Sequence, residues 1–282
     1  MGDQHNEAIR SFILSMPGKG SRTSSQLTVR LPAGLYVPRL LQDTGLAGFE
    51  PSTLACWLTI LKLPGPGAAV DVGANVGIYS WLAAAFSERH VVAFEPVPEL
   101  ANALNDVAVE NDLQITIEQT ALSNQDGRAV LYLSDATDSS NSLVPGFRPS
   151  SASLDVTTLR LDTYCSETGV SPHVLKIDTE TNEPDVLAGS IQTISTLRPW
   201  MIVEVLAGRT EERLTDLLAP FDYYWYPIDE NLPLAAASEI VGDPTHSNTN
   251  WLFAPTKPQR RFWKRMAKML KDLQSCTATS SK

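Results

Sequence analysis

The sequence predicts an α/β protein with a mainly parallel sheet and helices on both faces. Three observations predict it. Short continuous apolar runs, Ala68–Val72, Val91–Phe94, Val174–Ile177 and Met201–Val205, alternate with helix-length segments; strands buried on both faces and joined by crossovers read this way. The first run leads through a glycine-bearing turn, Gly73–Gly77, into a helix, and acids follow the ends of later runs. Apolar residues make up 43% and charged residues 19% of the 282, which suits a chain that buries a core.

Residues 1–25 are polar, with Gly18, Gly20 and a Ser/Thr cluster at 21–25. They read as a loose tail and linker. Leu27–Leu31 alternates as a short strand. Pro51 opens an apolar helix through Leu61, which Pro64-Gly65-Pro66-Gly67 ends. After the strand at 68–72 come a helix over Ile78–Phe86, a strand at Val91–Phe94, a helix over Glu99–Val109 and a third strand at Ile115–Ile117. Residues 128–160 break the alternation: Val130–Leu133 and Val156–Leu161 read as a β-hairpin insertion around a Ser/Asn/Pro-rich loop. Then follow the strand at 174–177, a helix from Glu183 to Ile194, the strand at 201–205 and a helix over Glu211–Leu218. The organisation is an N-terminal tail and substrate-side extension (1–50), a main domain (51–256), and a C-terminal segment (257–282).

Charge separates that last segment from the rest. The chain holds 22 Lys and Arg against 32 Asp and Glu, net −10. Residues 257–282 hold eight basic residues and one acid, net +7, so the other 256 residues stand at −17. An acidic body disfavours nucleic acid, whose phosphates need Lys and Arg. Over 260–273, Phe262, Met266, Met269, Leu270 and Leu273 form a helical stripe opposite the cations. Such a helix packs on the acidic body, with peripheral membrane or acidic-partner contact as the functional alternative. Cys56, Cys165 and Cys276 show no disulfide or zinc spacing, and no apolar run reaches membrane-helix length. A cytoplasmic protein with free thiols is the expectation.

Asp71-Val72-Gly73-Ala74-Asn75-Val76-Gly77 carries the most chemistry. It ends a strand and opens a helix, where glycine lets a ligand near the main chain and the helix start offers amides to an anion. Glu95 ends the next strand and is placed to accept hydrogen bonds from ribose hydroxyls. Together they indicate a nucleoside cofactor. A nicotinamide-dependent oxidoreductase would want G-x-G-x-x-G and a Tyr-x-x-x-Lys pair, and neither is present. In the second cluster, 175–189, Asn182, Glu183, Pro184 and Asp185 suit a helix start. Lys176, Asp178 and Glu180 are not explained that way; charges ending a central strand face the ligand crevice.

DVGANVGIYS at 71–80, AFEP at 93–96, ALSNQDG at 121–127, SSNSL at 139–143, LKIDTETNEPDVLAG at 175–189, IVEV at 202–205 and NWLFAP at 250–255 occur in one order. With them the chain resembles the FkbM-like methyltransferase family across roughly residues 50–255. The resemblance implies a Rossmann-like class I methyltransferase fold, S-adenosylmethionine as donor, and O-methylation of a hydroxyl on a natural product or sugar. It implies cofactor contacts at Asp71, Gly73, Asn75, Gly77, Tyr79, Glu95, Ala121, Asn141, Ser142 and Asp178. Where the family has glycine after the acid of the second cluster, this chain has Thr181. A β-branched residue tolerates positive φ poorly, so a reshaped turn is expected.

An alcohol needs to lose its proton as it attacks, so a base or metal is expected nearby. Asp178 is the first candidate base, Glu180 the second and His246 the third. Asp178, Glu180 and Glu204 are oxygen ligands that could gather around Mg²⁺; Glu204 could instead pair with Lys176. A non-catalytic S-adenosylmethionine-binding module is the remaining alternative.

Overall fold

The computed structural model describes residues 8–17 and 26–280. The strands and helices run in chain order as β1 (Ile9–Ser15), β2 (Gln26–Pro32), α1 (Tyr36–Thr44), α2 (Pro51–Leu61), β3 (Ala68–Val72), α3 (Ile78–Phe86), β4 (Val91–Phe94), α4 (Pro98–Glu110) and β5 (Thr116–Glu118). There follow β6 (Ala121–Leu122), β7 (Gly127–Leu133), β8 (Ala152–Leu159), α5 (Leu161–Thr168), β9 (Pro172–Ile177), α6 (Glu183–Ala188), α7 (Ile191–Leu197) and β10 (Trp200–Glu204). The chain continues with α8 (Glu211–Leu218), β11 (Tyr224–Pro227), β12 (Asn250–Ala254), α9 (Arg260–Gln274) and β13 (Ala278–Ser280).

A seven-stranded sheet lies at the centre, in the order β11-β12-β10-β9-β3-β4-β5. The strands from β10 to β5 pair in parallel, and β12 runs antiparallel to both its neighbours. Every residue of β3, β4 and β12 is buried, which is why their sequences are continuous apolar runs instead of alternating ones. From β3 the chain steps outward to β4 and β5, then returns to the other side of β3 as β9 and β10. That reversal is a topological switch point, and ligands bind at the carboxyl ends of strands there. Val72 and Ile177 end the facing strands in register.

The hairpin insertion is present as β7 and β8, paired antiparallel from Gly127↔Thr158 to Leu133↔Ala152. The helix expected over Glu183–Ile194 is broken in two. Gly189 lies against the chain, so that a Cβ there would sit 2.1 Å from the Ser123 carbonyl oxygen. The Asp162 carboxylate caps the restart, accepting the amides of Gln192 and Thr193 at 3.0 and 2.8 Å. Helical periodicity at 183–194 cannot report such a contact, because Ser123 and Asp162 come from elsewhere in the chain.

The expected loose tail is a strand over Ile9–Ser15. It lies between β2 and β13, with Phe12 opposite Val29 and Ser280. Phe12 and Leu14 are buried with Leu27, Val29 and Leu31; the short apolar stretch is a strand because it has two partners. Gly18, Gly20 and the Ser/Thr cluster lie outside the described residues. The C-terminal helix packs its stripe against α2, burying Phe262, Met266, Leu270 and Leu273. Trp200 stacks on Phe262 with ring centroids 5.4 Å apart. Residues of the N-terminal extension, the main domain and the C-terminal segment meet in one apolar core. No helix among the described residues is long and apolar enough to cross a membrane.

Gly189→Ala should destabilise the protein by about 1–3 kcal/mol, since the added methyl must displace main chain. Urea unfolding should show a lower midpoint at unchanged slope; an unchanged midpoint would contradict the packing described.

Candidate active site

After β3 the chain bends through Gly73–Gly77. Gly73 has φ 76, and a Cβ there would lie 1.8 Å from the Asp178 carbonyl oxygen; only glycine fits. Asn75 also has positive φ, 53, and turns its amide outward from the bend. Glu95, 5% exposed at the end of β4, receives that amide on Oε2 at 2.8 Å and the Val97 amide on Oε1 at 2.9 Å. Burial pushes the Glu95 carboxyl up to about 7, against the pull of its two amide donors. The amides of Gly73, Ala74, Val76 and Gly77 are satisfied within this corner. The expected anion-binding amides therefore do not lie in the bend itself.

Bend and carboxylate face a cavity of about 320 Å³, within the size range of small-molecule sites. The hairpin and the N-terminal extension close over it. Asp138 accepts the Tyr36 amide on Oδ1 at 2.8 Å, and its carbonyl accepts Asn75 Nδ2 at 3.2 Å. Asp71, Gly73, Asn75, Tyr79, Glu95, Ala121, Asn141 and Asp178 all line this cavity.

The far wall is acidic. Glu50, Asp178, Glu180 and Glu204 line it with Lys176. The Lys176 side chain is 0% exposed. Its Nζ donates to Asp178 Oδ2 at 2.6 Å and lies 5.0 Å from the Tyr79 ring centroid. Burial works against this ammonium, but Asp178 and Glu50 outweigh it and hold its pKa above the usual lysine value. Glu50 accepts the Tyr79 hydroxyl at 2.6 Å and Asn250 Nδ2 at 3.1 Å on the same oxygen. Burial raises the Glu50 and Glu204 carboxyls, and Glu204 is pushed well up with help from Asp178 and Glu180. Burial and the neighbouring Asp178 raise Glu180 to about 8.

The turn after β9 forms with Glu180 at φ 55 and Thr181 at φ 85. Thr181 thus adopts a left-handed backbone that favours glycine, despite its branched side chain. Ser142 holds the strained pair. Its hydroxyl donates to the Glu180 carbonyl at 2.5 Å and lies 3.2 Å from Thr181 Oγ1. Glu183 braces the other side, accepting the Thr179 amide at 2.7 Å.

Four expectations are corrected. Ser142 is turned to this turn, and it is not among the cavity-lining residues. Gly77 is also absent from the lining; with φ 101 and a virtual Cβ 2.3 Å from Leu104 Cγ, it serves helix packing. His246 sits exposed in its loop, away from the cavity, because the Asp243-centred turn holds that loop at the surface. Lys176 pairs with Asp178 instead of Glu204. Glu50, Asp138 and Tyr36 were not singled out in the sequence. They come from outside the motifs, and only the Glu50-Pro51 helix start marked the place.

The oxygens of Asp178, Glu180 and Glu204 lie within 4.8 Å of one another. They are hard donors of the kind Mg²⁺ takes. Glu204 Oε2 is buried without a hydrogen-bond partner among the described residues, so it has a lone pair free for a further donor or cation. Lys176 already supplies one positive charge to it.

The central sheet, with its one reversed strand, has the class I methyltransferase fold. The sequence profile described as Methyltransferase FkbM domain matches residues 71–230, more than half of the chain. The chain belongs to the FkbM methyltransferase family. No curated protein matches it. Among solved structures it is similar to methyltransferase FkbM from Methylobacillus flagellatus KT, at 18% identity and TM-score 0.44, over 68% of this chain and 45% of that one. This chain thus spans less than half the length of that protein. Magnesium protoporphyrin IX methyltransferase from Synechocystis PCC 6803, with bound S-adenosylmethionine, matches at 12% identity and TM-score 0.39, over 77% and 81% of the two chains. Fibrillarin from Aeropyrum pernix, with natively bound S-adenosyl-L-methionine, matches at 11% and 0.39, over 72% and 74%.

The pKa values imply a pH dependence. Asp71, Glu95, Glu180 and Glu183 are raised to about 6, 7, 8 and 7, chiefly by burial. Unfolded carboxyls titrate near about 4, so the folded chain holds extra protons between those values. The associated stability is full below the unfolded pKa and is lost as pH rises through the folded ones. The ligand-free protein should therefore melt at a lower temperature at about pH 8.5 than at about pH 6. A melting temperature that rises over this interval would contradict the burial of these groups.

Proposed function

We propose that the chain transfers the methyl group of S-adenosylmethionine to a hydroxyl oxygen of a small molecule, a sugar or natural-product moiety. The observation that carries this is the facing pair of ends in one cavity: a nucleoside-type corner at Gly73–Asn75 and Glu95, and a carboxylate-rich wall at Asp178, Glu180 and Glu204. Glu95 keeps lone pairs free on both oxygens, enough to receive the two ribose hydroxyls. The donor, when bound, supplies an electrophilic sulfonium methyl that an oxygen must approach from the side opposite sulfur.

The chain's own work is alignment and proton removal. Alignment alone can supply about 7–11 kcal/mol in favourable cases. Of the candidate bases, Asp178 is engaged by the Lys176 ammonium, whereas the Glu180 carboxylate receives no hydrogen bond from the described residues. A carboxylate with its pKa raised to about 8 is a stronger base than an ordinary one once ionised, and the ionised form becomes the major one above about pH 8. Glu180 is accordingly the base in this proposal. Asp178 keeps Lys176 charged, and the Lys176–Asp178 pair sets the electrostatics of the wall. The hairpin and extension, joined at Tyr36 and Asp138, both contribute to the cavity wall.

Labelled S-adenosylmethionine offered with an extract of hydroxylated small molecules should yield labelled, base-stable ether product. Binding of the donor without transfer to any acceptor would leave a non-catalytic module. Turnover should rise with pH through about 8 as Glu180 ionises. Glu180→Gln should lower kcat by about 10²–10⁴-fold and abolish that rise; a variant with wild-type kcat would remove Glu180 from the role. Asp178→Asn is a poorer test, because it also removes the carboxylate that receives the buried Lys176 ammonium and so mixes loss of stability with loss of a base.

Mg²⁺ at Asp178, Glu180 and Glu204 would act on the acceptor oxygen instead of a base. Because Lys176 supplies a cation to the same wall, turnover is expected to survive dialysis against EDTA. Loss restored by added Mg²⁺ would assign the three carboxylates to a metal.

A further inference from the structure

The helix α9 has two opposed faces. Phe262, Met266, Leu270 and Leu273 are buried against the body, chiefly against α2. Arg260, Arg261, Lys264, Arg265, Lys268 and Lys271 are all exposed, as is Lys257 just before the helix. At about 100° per residue, those six helical cations fall within one arc of about 140°, opposite the buried stripe. Lys268 donates to Asp272 at 2.6 Å. The other six cations have no hydrogen bond, ion pair or ring contact with any described residue.

This placement is unfavourable for the helix alone. Like charges three and four residues apart repel, and the rest of the chain, at −17, holds many acids that these side chains do not reach. The apolar residues of α9 are already used by the core, so the free face acts by charge only. Its cations run along about 17 Å of straight helix. They do not converge on a point, as they would around a single phosphate group. A laterally continuous anionic surface fits that line. The acidic body is repelled by the same surface, which leaves α9 to make the approach and fixes one orientation.

We propose that the exposed face of α9 docks this enzyme on an anionic lipid bilayer, without insertion. Clusters of four to eight Lys/Arg on a helix bind acidic headgroups, each residue adding about fivefold in affinity at low salt. The contact is peripheral and reversible by salt. It does not depend on which reaction the cavity performs.

The test is co-sedimentation of the full chain with phosphatidylcholine vesicles, with and without phosphatidylserine. The expected result is binding only to the phosphatidylserine vesicles, released by high salt. The triple variant Arg261→Glu, Lys264→Glu, Arg265→Glu should bind those vesicles on the order of 100-fold more weakly. Its melting temperature, compared with wild type, reports that it is folded; the three positions are exposed and unpaired. Should that variant melt early, Arg261→Gln with Lys264→Gln replaces it, with a weaker loss of binding expected. The proposal is overturned if wild type does not sediment with phosphatidylserine vesicles at low salt. It is equally overturned if a folded variant sediments as wild type does, or if duplex DNA at equal phosphate strips the protein from the vesicles, which would make the partner a nucleic acid.

Discussion

The structure turns on a carboxylate held by main chain. Glu95 takes one amide from the bend after β3 and one from the start of the next loop, at 2.8 and 2.9 Å. This hook fixes Asn75 in a left-handed conformation, keeps the bend open toward the cavity, and places a buried acceptor at the end of β4. The parallel sheet supplies the geometry: β3 and β4 pair in register, so the bend and the acid arrive at the same edge. Burying a carboxyl here is costly, and its raised pKa shows the cost. A ligand with paired hydroxyls would offset it with hydrogen bonds to the ionised form.

The opposite wall follows the same logic with more charges. Glu50, Asp178, Glu180 and Glu204 share one ammonium, Lys176, which is fully buried. Burial raises the pKa values of Glu50, Glu180 and Glu204, and the repulsion of neighbouring acids that one cation cannot neutralise adds to it. The strained Glu180–Thr181 turn places an acid in the cavity wall. Strain of this kind, of order 1–3 kcal/mol per residue, persists only where neighbours over-determine it. Here the neighbours are Ser142 from the hairpin and Glu183 from α6. The insertion thereby supports the site as well as covering it.

Much of this was legible in the sequence, for physical reasons. Continuous apolar runs mark doubly buried strands, so β3, β4, β9 and β10 could be placed within a residue or two, and acids ending them marked the crevice. What was illegible depends on distant partners. Ile9–Ser15 is a strand because β2 and β13 flank it. Gly189 breaks a helix because Ser123 lies against it. Glu50 belongs to the site because Tyr79 and Asn250 reach it from α3 and β12. Ser142 was legible as important but not in its role, since its motif cannot tell a ligand contact from a brace. His246 shows the converse: a titratable residue near a strand start carried no information about where its loop would fold.

The central claim is that the Glu95 corner recognises the sugar of a sulfonium nucleoside. Calorimetric titration with S-adenosylhomocysteine, on wild type and Glu95→Gln side by side at about pH 8, tests it most directly, because the carboxylate is then ionised. The account predicts one saturable site in wild type and binding weakened by at least about tenfold in the variant, the scale of one lost charge-assisted hydrogen bond. Equal affinity in both proteins, or no binding by folded wild type, would contradict it.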